Sequence, residues 1–320
     1  MKEVCQQILD FIDHHNNYLV TTHMGADGDA YGSVLAMVYF LEKMDKTYDI
    51  IFHDQKLDTR YQFLWGWQKI VSFHENLKKE FDAALILDVP SKNRMGDPSK
   101  LLPHQNLCVL VDHHPEENGI AHINLVDEQA SSTCQLVYEI LSRSEFQMDD
   151  TLALLIFSGI MYDTGRFSFS NTRKRDFEIA AELLSFDVKP NEVANQLFFS
   201  SSFESMRTIG RGLADMEVQL DGRLCIVFLP LELMQKNNHG EIEELANYSI
   251  AIKGSEVGLF IREADKDFFK VSLRSRGAVN VSTVAKALGG GGHAHAAGCR
   301  YKGKFSDLRN ILISEVSRQL

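Results

Sequence analysis

Within seven residues, His23-Met24-Gly25-Ala26-Asp27-Gly28-Asp29 offers one imidazole and two carboxylates interleaved with glycines. Such nitrogen and oxygen donors suit hard divalent cations, and the glycines let the backbone turn tightly enough for the side chains to converge. A DGD turn also caps helices, with Asp29 as the capping residue, so this loop alone leaves both readings open. Two apolar runs end at an aspartate as well: Asp88 follows Ala83–Leu87, and Asp112-His113-His114 follows Leu107–Val111. A helix-like apolar segment over 151–162 runs into Asp163, within Gly159-Ile160-Met161-Tyr162-Asp163-Thr164-Gly165. Singly, each aspartate reads as a turn or cap residue. Together, His23, Asp27, Asp29, Asp88, His113 and Asp163 supply two imidazoles and four carboxylates, enough for two metal ions with open positions.

Those donors need a frame that brings their chain segments to one edge. Residues 2–15 predict an amphipathic helix, with Val4, Ile8, Phe11 and Ile12 on one face. Tyr18–Thr22 reads as a strand, and Ala30, Val34, Val38 and Leu41 recur at helical spacing after the glycine-rich loop. Short continuous apolar runs between helices suit a buried, mainly parallel sheet, whose carboxyl edge is where α/β proteins place their sites. The tripeptide Asp13-His14-His15 is a control: it ends a helix, has no apolar strand before it, and reads as a solvated helix terminus. A second α/β unit begins near residue 205. Leu224–Leu229, Val257–Ile261 and Phe268–Leu273 predict strands, the last two joined by a polar turn over 262–267, with helices over 281–288 and 305–316. The expected division is 1–185, a linker over 186–205, and 206–320.

The chain resembles the DHH phosphoesterase superfamily. HMGADGDAYGS, the aspartate after ALIL, VDHH at 111–114 and GIMYDTG at 159–165 match its four motifs in order. Gly289-Gly290-Gly291-Gly292-His293-Ala294-His295-Ala296-Ala297-Gly298 resembles the GGGH signature of the associated DHHA1 domain. Size and two-domain layout are similar to the nanoRNase/pAp phosphatase branch. One departure is Ala26, where many members carry proline.

The resemblance implies that His23, Asp27 and Asp88 hold one ion and Asp29, Asp88, His113 and Asp163 the other, with Asp88 bridging. Asp112 would orient a histidine, and His114 would face the substrate and offset phosphoryl charge. The mixed His/carboxylate set excludes a thiolate zinc site and suits Mn²⁺, with Mg²⁺ or Co²⁺ as substitutes. Two such ions, about 3.5–4 Å apart, would acidify a shared water for attack on phosphorus.

In the second unit, Gly290, Gly291 and Gly292 would let backbone N–H groups approach a phosphate, with His293 beside them. A glycine run is equally a linker in other settings; here it lies between an apolar helix and AHAAGCR, which favours a structured loop. Arg274 and Arg276 end a strand, and arginine forks fit phosphates. Ser131-Ser132-Thr133 precedes an apolar helix and reads as its N-cap, although a similar segment lies near the metal site in the family. Trp65 and Trp67 read as core, Arg94 lies in the loop after Asp88, and His53, His74, His104, His122 and His239 lack clustered partners.

Composition bounds the partners. The 320-residue chain has a net charge of −11, which argues against a stable complex with long nucleic acid but allows a short phosphorylated ligand in a local basic cleft. Five scattered cysteines without a CxxC pair predict reduced thiols in the cytoplasm. The charges within MKEVCQQILDF do not read as a signal peptide, and the longest apolar stretch is too short to span a bilayer.

The expected protein is therefore a two-domain α/β phosphodiesterase with its site between the domains. It would hydrolyse RNA of about 2–5 nucleotides to mononucleotides, with 3′-phosphoadenosine 5′-phosphate (pAp) as a second substrate. The alternatives are hydrolysis of dinucleotide signals (pApA, pGpG or c-di-AMP), or a non-catalytic nucleotide- or RNA-binding module. The ending does not resemble the second domain of the inorganic pyrophosphatase branch. An edge strand or the terminal helix could support a homodimer.

Overall fold

A computed structural model describes residues 1–115, 119–234 and 239–320. The chain divides into two units, Met1–Ser200 and Ser201–Leu320.

The first unit contains, in order, α1 (Lys2–His14), β1 (Asn17–Thr21), α2 (Gly28–Lys43), β2 (Thr47–Phe52), β3 (Ile70–Ser72), β4 (Ala83–Leu87), α3 (Lys92–Met95), β5 (Cys108–Asp112), β6 (Ile123–Val126), α4 (Thr133–Leu141), α5 (Asp150–Asp163), α6 (Lys174–Leu183) and α7 (Pro190–Phe198). Its six strands pair in parallel in the order β3-β2-β1-β4-β5-β6. Alternation along β4 shows why apolar runs suit this sheet. Ala83, Leu85 and Leu87 join the core under the helices, while Ala84 and Ile86 join a second core on the opposite face. Among the described residues, that second face carries only α3 and short single turns, so the described helical layer is one-sided.

The order has its switch point at β1, which pairs with β2 on one side and β4 on the other. Ligand crevices in open α/β sheets lie at such points. The carboxyl ends of β1, β4 and β5 are neighbours there, and these are the ends that lead to His23, Asp88 and Asp112-His113-His114.

Within the expected linker 186–205, α7 buries Val193 and Leu197 in the core of the first unit. Among the described residues, no helix is long and apolar enough to cross a membrane.

The second unit contains α8 (Phe203–Ala214), β7 (Glu217–Gln219), β8 (Leu224–Leu229), α9 (Leu231–Met234), α10 (His239–Ile242), α11 (Leu245–Tyr248), β9 (Val257–Asp265), β10 (Phe268–Ser275), α12 (Val281–Ala287), β11 (Gly291–His293), β12 (Ala296–Lys302) and α13 (Phe305–Ser317). Its sheet, β11-β12-β10-β9-β8-β7, is antiparallel except for the β8–β9 pair. Two sequence expectations change here. Residues 262–265 are strand rather than turn, because β9 continues against β10 beyond its apolar stretch. The glycine run is partly strand too, since Gly291–His293 pairs with β12 in a hairpin.

Candidate metal centre

Three strand ends and two helix ends converge in the first unit. Asp27 caps α2: its Oδ1 accepts the N–H groups of Asp29 and Ala30 at 3.1 and 3.3 Å. The cap is thus Asp27, whereas the helix-cap reading of the loop had assigned it to Asp29. Asp29 instead points its carboxylate at the start of α4, accepting from Thr133 N–H at 2.6 Å and Cys134 N–H at 2.9 Å. A helix N-terminus suits an anionic group. Ser132 is the N-cap of α4, as its sequence predicts, and its hydroxyl accepts from Gln135 N–H.

Asp88 leaves β4 with φ +61°, a left-handed conformation that costs most L-residues ~1–2 kcal/mol and that Asp and Asn tolerate best. Its N–H donates to Val111 O at 2.9 Å. This turn holds the carboxylate, 2% exposed, across the mouth of β5. Oδ2 lies 3.4 Å from His23 Nε2. Oδ1 lies 3.6 Å from His113 Nε2, 3.5 Å from His114 Nδ1 and 3.0 Å from the Thr133 hydroxyl that donates to it. His113 Nε2 is also 3.1 Å from Asp163 Oδ2 and 3.9 Å from Asp29 Oδ2.

Ligand-bearing atoms of His23, Asp27 and Asp88 lie within 4.8 Å of one another, and so do those of Asp29, Asp88 and His113. Asp88 belongs to both groups. Asp112 Oδ1 takes the N–H groups of His113 and His114 at 2.8 and 3.1 Å and contacts His114 Nδ1 at 2.8 Å, which fixes that ring's orientation.

The electrostatics of the cluster call for cations. Burial first, then the Asp163 charge, pushes Asp27 up to about 6. Burial, with Asp88 and Asp163, holds Asp29 well above the carboxylate range. Burial favours neutral His23, but its hydrogen bond to Asp88 and the charges of Asp88 and Asp27 outweigh that and raise it to about 9. His113 is raised in the same way, against burial, by Asp163, Asp88 and Asp29. Burial would raise Asp88 too, yet the His23 hydrogen bond and the charges of His114, His23 and His113 hold it below the usual range. Carboxylates crowded beyond the positive charge available to them, with nitrogen donors between, are a donor set that fits hard or borderline divalent ions.

Other parts of the loop explain its shape. Gly25 and Ala26 donate their N–H groups to the Asp54 carboxylate at 2.9 and 3.1 Å. Proline at position 26 would lack that donor, so with Ala26 the loop is held by the Asp54 carboxylate. Arg94 contributes its backbone: Met24 N–H donates to Arg94 O at 2.7 Å. Nothing near Asp54 in the sequence marks it for these contacts, because its partners lie far along the chain. Thr133 falls in the segment 131–133, which the sequence does single out.

The bland readings have concrete partners. His14 and His15 turn Nδ1 to the carbonyls of Asp10 and Phe11, closing the end of α1. His53 Nδ1 accepts from Asp97 N–H at 3.2 Å, and His104 caps a short turn. Trp65 packs edge-on to Tyr39, and Trp67 Nε1 donates to Asp58 O. The side chain of His239 lies outside the described residues.

The remaining predicted residues belong to the second unit. Half-buried Arg274, near the end of β10, donates from Nε to Asn247 Oδ1 at 3.2 Å, and its neighbour across the sheet is Ala296. Arg276 is exposed just beyond. Gly290 and Gly292 have a packing reason to be glycine: a Cβ would stand 2.2 Å from Gly298 O and 2.6 Å from Ala296 O, respectively. Gly291 and His293 pair with Gly298 and Ala296.

Residues 17–160 match the DHH family, N-terminal domain, and residues 221–318 match the DHHA1 domain. The bifunctional oligoribonuclease and PAP phosphatase NrnA of Thermus thermophilus is 29% identical over 302 residues, covering 94% of this chain and 89% of the relative. The protein of the same name from Bacillus subtilis is 26% identical over 297 residues, covering 91% of each. The crystal structure of an exopolyphosphatase-related protein from Bacteroides fragilis has the same fold, with a TM-score of 0.89 at 24% identity, covering 99% of this chain and 96% of that one.

Proposed function

Because this chain belongs to the DHH phosphoesterases and carries their DHHA1 domain, we propose that it hydrolyses very short RNA to mononucleotides and removes a phosphate from pAp. The names of its relatives support this substrate range. The carrying observation is the Asp88 carboxylate, whose two oxygens face two separate donor groups. His23, Asp27 and Asp88 would hold one divalent ion, and Asp29, Asp88, His113 and Asp163 the other. Mn²⁺ is the ion we assign, since three-dimensional mixtures of imidazole and carboxylate suit it, with Mg²⁺ or Co²⁺ as substitutes. Bound divalent ions supply Lewis-acid stabilisation of phosphoryl charge and acidify water.

The protein's own groups do the rest. Asp112 orients the His114 ring through Nδ1, so that the ring, when both nitrogens carry protons, donates from Nε2 to a phosphoryl oxygen as charge builds in the transition state. Thr133 and the start of α4 keep Asp29 and Asp88 from turning away. Arg274 is positioned by Asn247 to grip a substrate phosphate, with Arg276 just beyond β10 and Gly291, Gly292 and His293 of β11 beside it; Gly290, whose N–H already donates to Ala285 O at 2.9 Å, would shape the turn rather than add a donor. A grip this small selects for short ligands and explains how a chain of net charge −11 handles nucleotides. Five free, buried cysteines suit the reducing cytoplasm we assign.

The test is product-resolved hydrolysis with Mn²⁺, using labelled RNA from dinucleotide to 20-mer alongside pAp, pApA, pGpG and c-di-AMP. Fast cleavage of the shortest RNAs regardless of base, with pAp turnover, is the expected outcome. Cleavage confined to pApA, pGpG or c-di-AMP would replace this reading with turnover of a signal. No cleavage of any substrate, despite Mn²⁺ binding, would make the chain a non-catalytic binder.

A further inference from the structure

Asn171 joins the end of α5, which carries Asp163, to the turn before α4, the helix whose first N–H groups hold Asp29. Its Nδ2 donates to Ser131 O and to Asp163 O, both at 3.0 Å. Ser131 precedes the N-cap of α4, whose first two N–H groups hold Asp29. Asp163 is the last residue of α5. One amide thus ties the end of α5 to the start of α4.

The surroundings keep that tie in place. Ser131 N–H donates to Gln135 Oε1 at 2.8 Å, and its hydroxyl donates to buried Asp176. The other oxygen of Asp176 accepts from Arg173 N–H at 2.6 Å, closing the same loop. The chain returns from Asp163 to Asn171 through Gly165, Arg166 and Phe167, at φ +53°, +62° and +61°. Consecutive L-residues in the left-handed region persist only where surrounding contacts over-determine them. Asn171 Oδ1 is buried with no hydrogen-bond partner among the described residues, so the side chain is held through its donors.

We propose that Asn171 is a positioning residue which sets the separation of Asp163 from Asp29 and Asp88, and thereby the affinity for the divalent ion of that group. This rests on the metal reading above. A purely structural clasp would affect folding stability alone; a positioning residue also changes ion affinity.

Asn171→Asp keeps the volume and removes both donors, and Asn171→Ala removes the whole group. Isothermal titration with Mn²⁺, without substrate, is the primary readout, beside the thermal midpoint of the metal-free protein and kcat and KM on a dinucleotide. In both variants, affinity for one of two ions should fall about tenfold or more, while the other stays within about twofold. Limiting Mn²⁺ should then lower kcat, saturating Mn²⁺ should restore it, and KM should hold. Unchanged affinity for both ions overturns the proposal, and so does a lower midpoint with unchanged affinities. If Asn171→Ala fails to fold, Asn171→Asp decides. Wild-type protein that binds two Mn²⁺ but hydrolyses no nucleotide would overturn the proposed function and leave the Asn171 titration fully readable.

Discussion

Asp88→Asn should lower kcat/KM on a dinucleotide about a thousandfold, equivalent to ~4 kcal/mol of transition-state stabilisation, while the thermal midpoint moves by only a few degrees. Asparagine is the informative replacement because Asp88 sits at φ +61°. It tolerates that backbone as aspartate does, whereas alanine would add a backbone cost of ~1–2 kcal/mol to the chemical one. The volume and the contact with the Thr133 hydroxyl are also retained. What disappears is the charge that His23, His113 and His114 surround. Steady-state kinetics at saturating Mn²⁺ and a melting curve check both halves of the expectation. Hydrolysis at the wild-type rate would show that Asp88 does not bridge.

A second large effect should come from the smallest change available on α5. A Cβ on Gly159 would lie 2.2 Å from Cys134 Sγ and 2.8 Å from Asp29 Oδ1. Alanine gains ~1 kcal/mol of helix propensity over glycine, but neither neighbour yields easily. Cys134 is fully buried, and the Asp29 carboxylate is pinned by two N–H groups of α4. Overpacking of this kind costs ~1–3 kcal/mol, and here it reaches a donor of the cluster as well. The net cost of Gly159→Ala, up to ~2 kcal/mol after the helix gain, should lower the thermal midpoint by up to roughly 8 °C and reduce activity at the same time. Adding Cys134→Ala removes the closer clash and should return much of the stability but less of the activity. A Gly159→Ala protein as stable and as active as wild type would refute the packing argument.

These residues differ in how far the sequence announces them. Asp88 and Asp112 are legible because each ends a short apolar run, and the parallel sheet puts such ends on one edge. The two DHH tripeptides separate on the same ground: Asp112-His113-His114 follows β5, whereas Asp13-His14-His15 ends α1 and only closes its carbonyls. Asn171 and Asp54 are not legible. Each acts on backbone outside its own element, Asp54 on residues 25 and 26 and Asn171 on Ser131 and Asp163, and nothing in local spacing marks a polar side chain that will become such a tie. The edge strands β3 and β7 and the polar half of β9 fail for a related reason. Their residues are partly exposed, so hydrophobic pattern carries little of their pairing. The β11–β12 hairpin hides in a glycine run because its contacts are between backbones, which leave no side-chain signature.

The donors of the cluster stretch along the chain from residue 23 to residue 163 and arrive on four segments: the 23–29 loop, the ends of β4 and β5, and the end of α5. No fragment shorter than residues 23–163 holds the whole set. Ion capture therefore reports completed assembly of strands and helices, and a half-folded chain gains nothing from it. By linkage, an ion that binds only the assembled state at a hundred times its Kd adds ~2.7 kcal/mol to stability. Chelation should shorten the chain's survival against a protease, and added Mn²⁺ should lengthen it. Ion supply would then govern how long each molecule lasts as well as how fast it works.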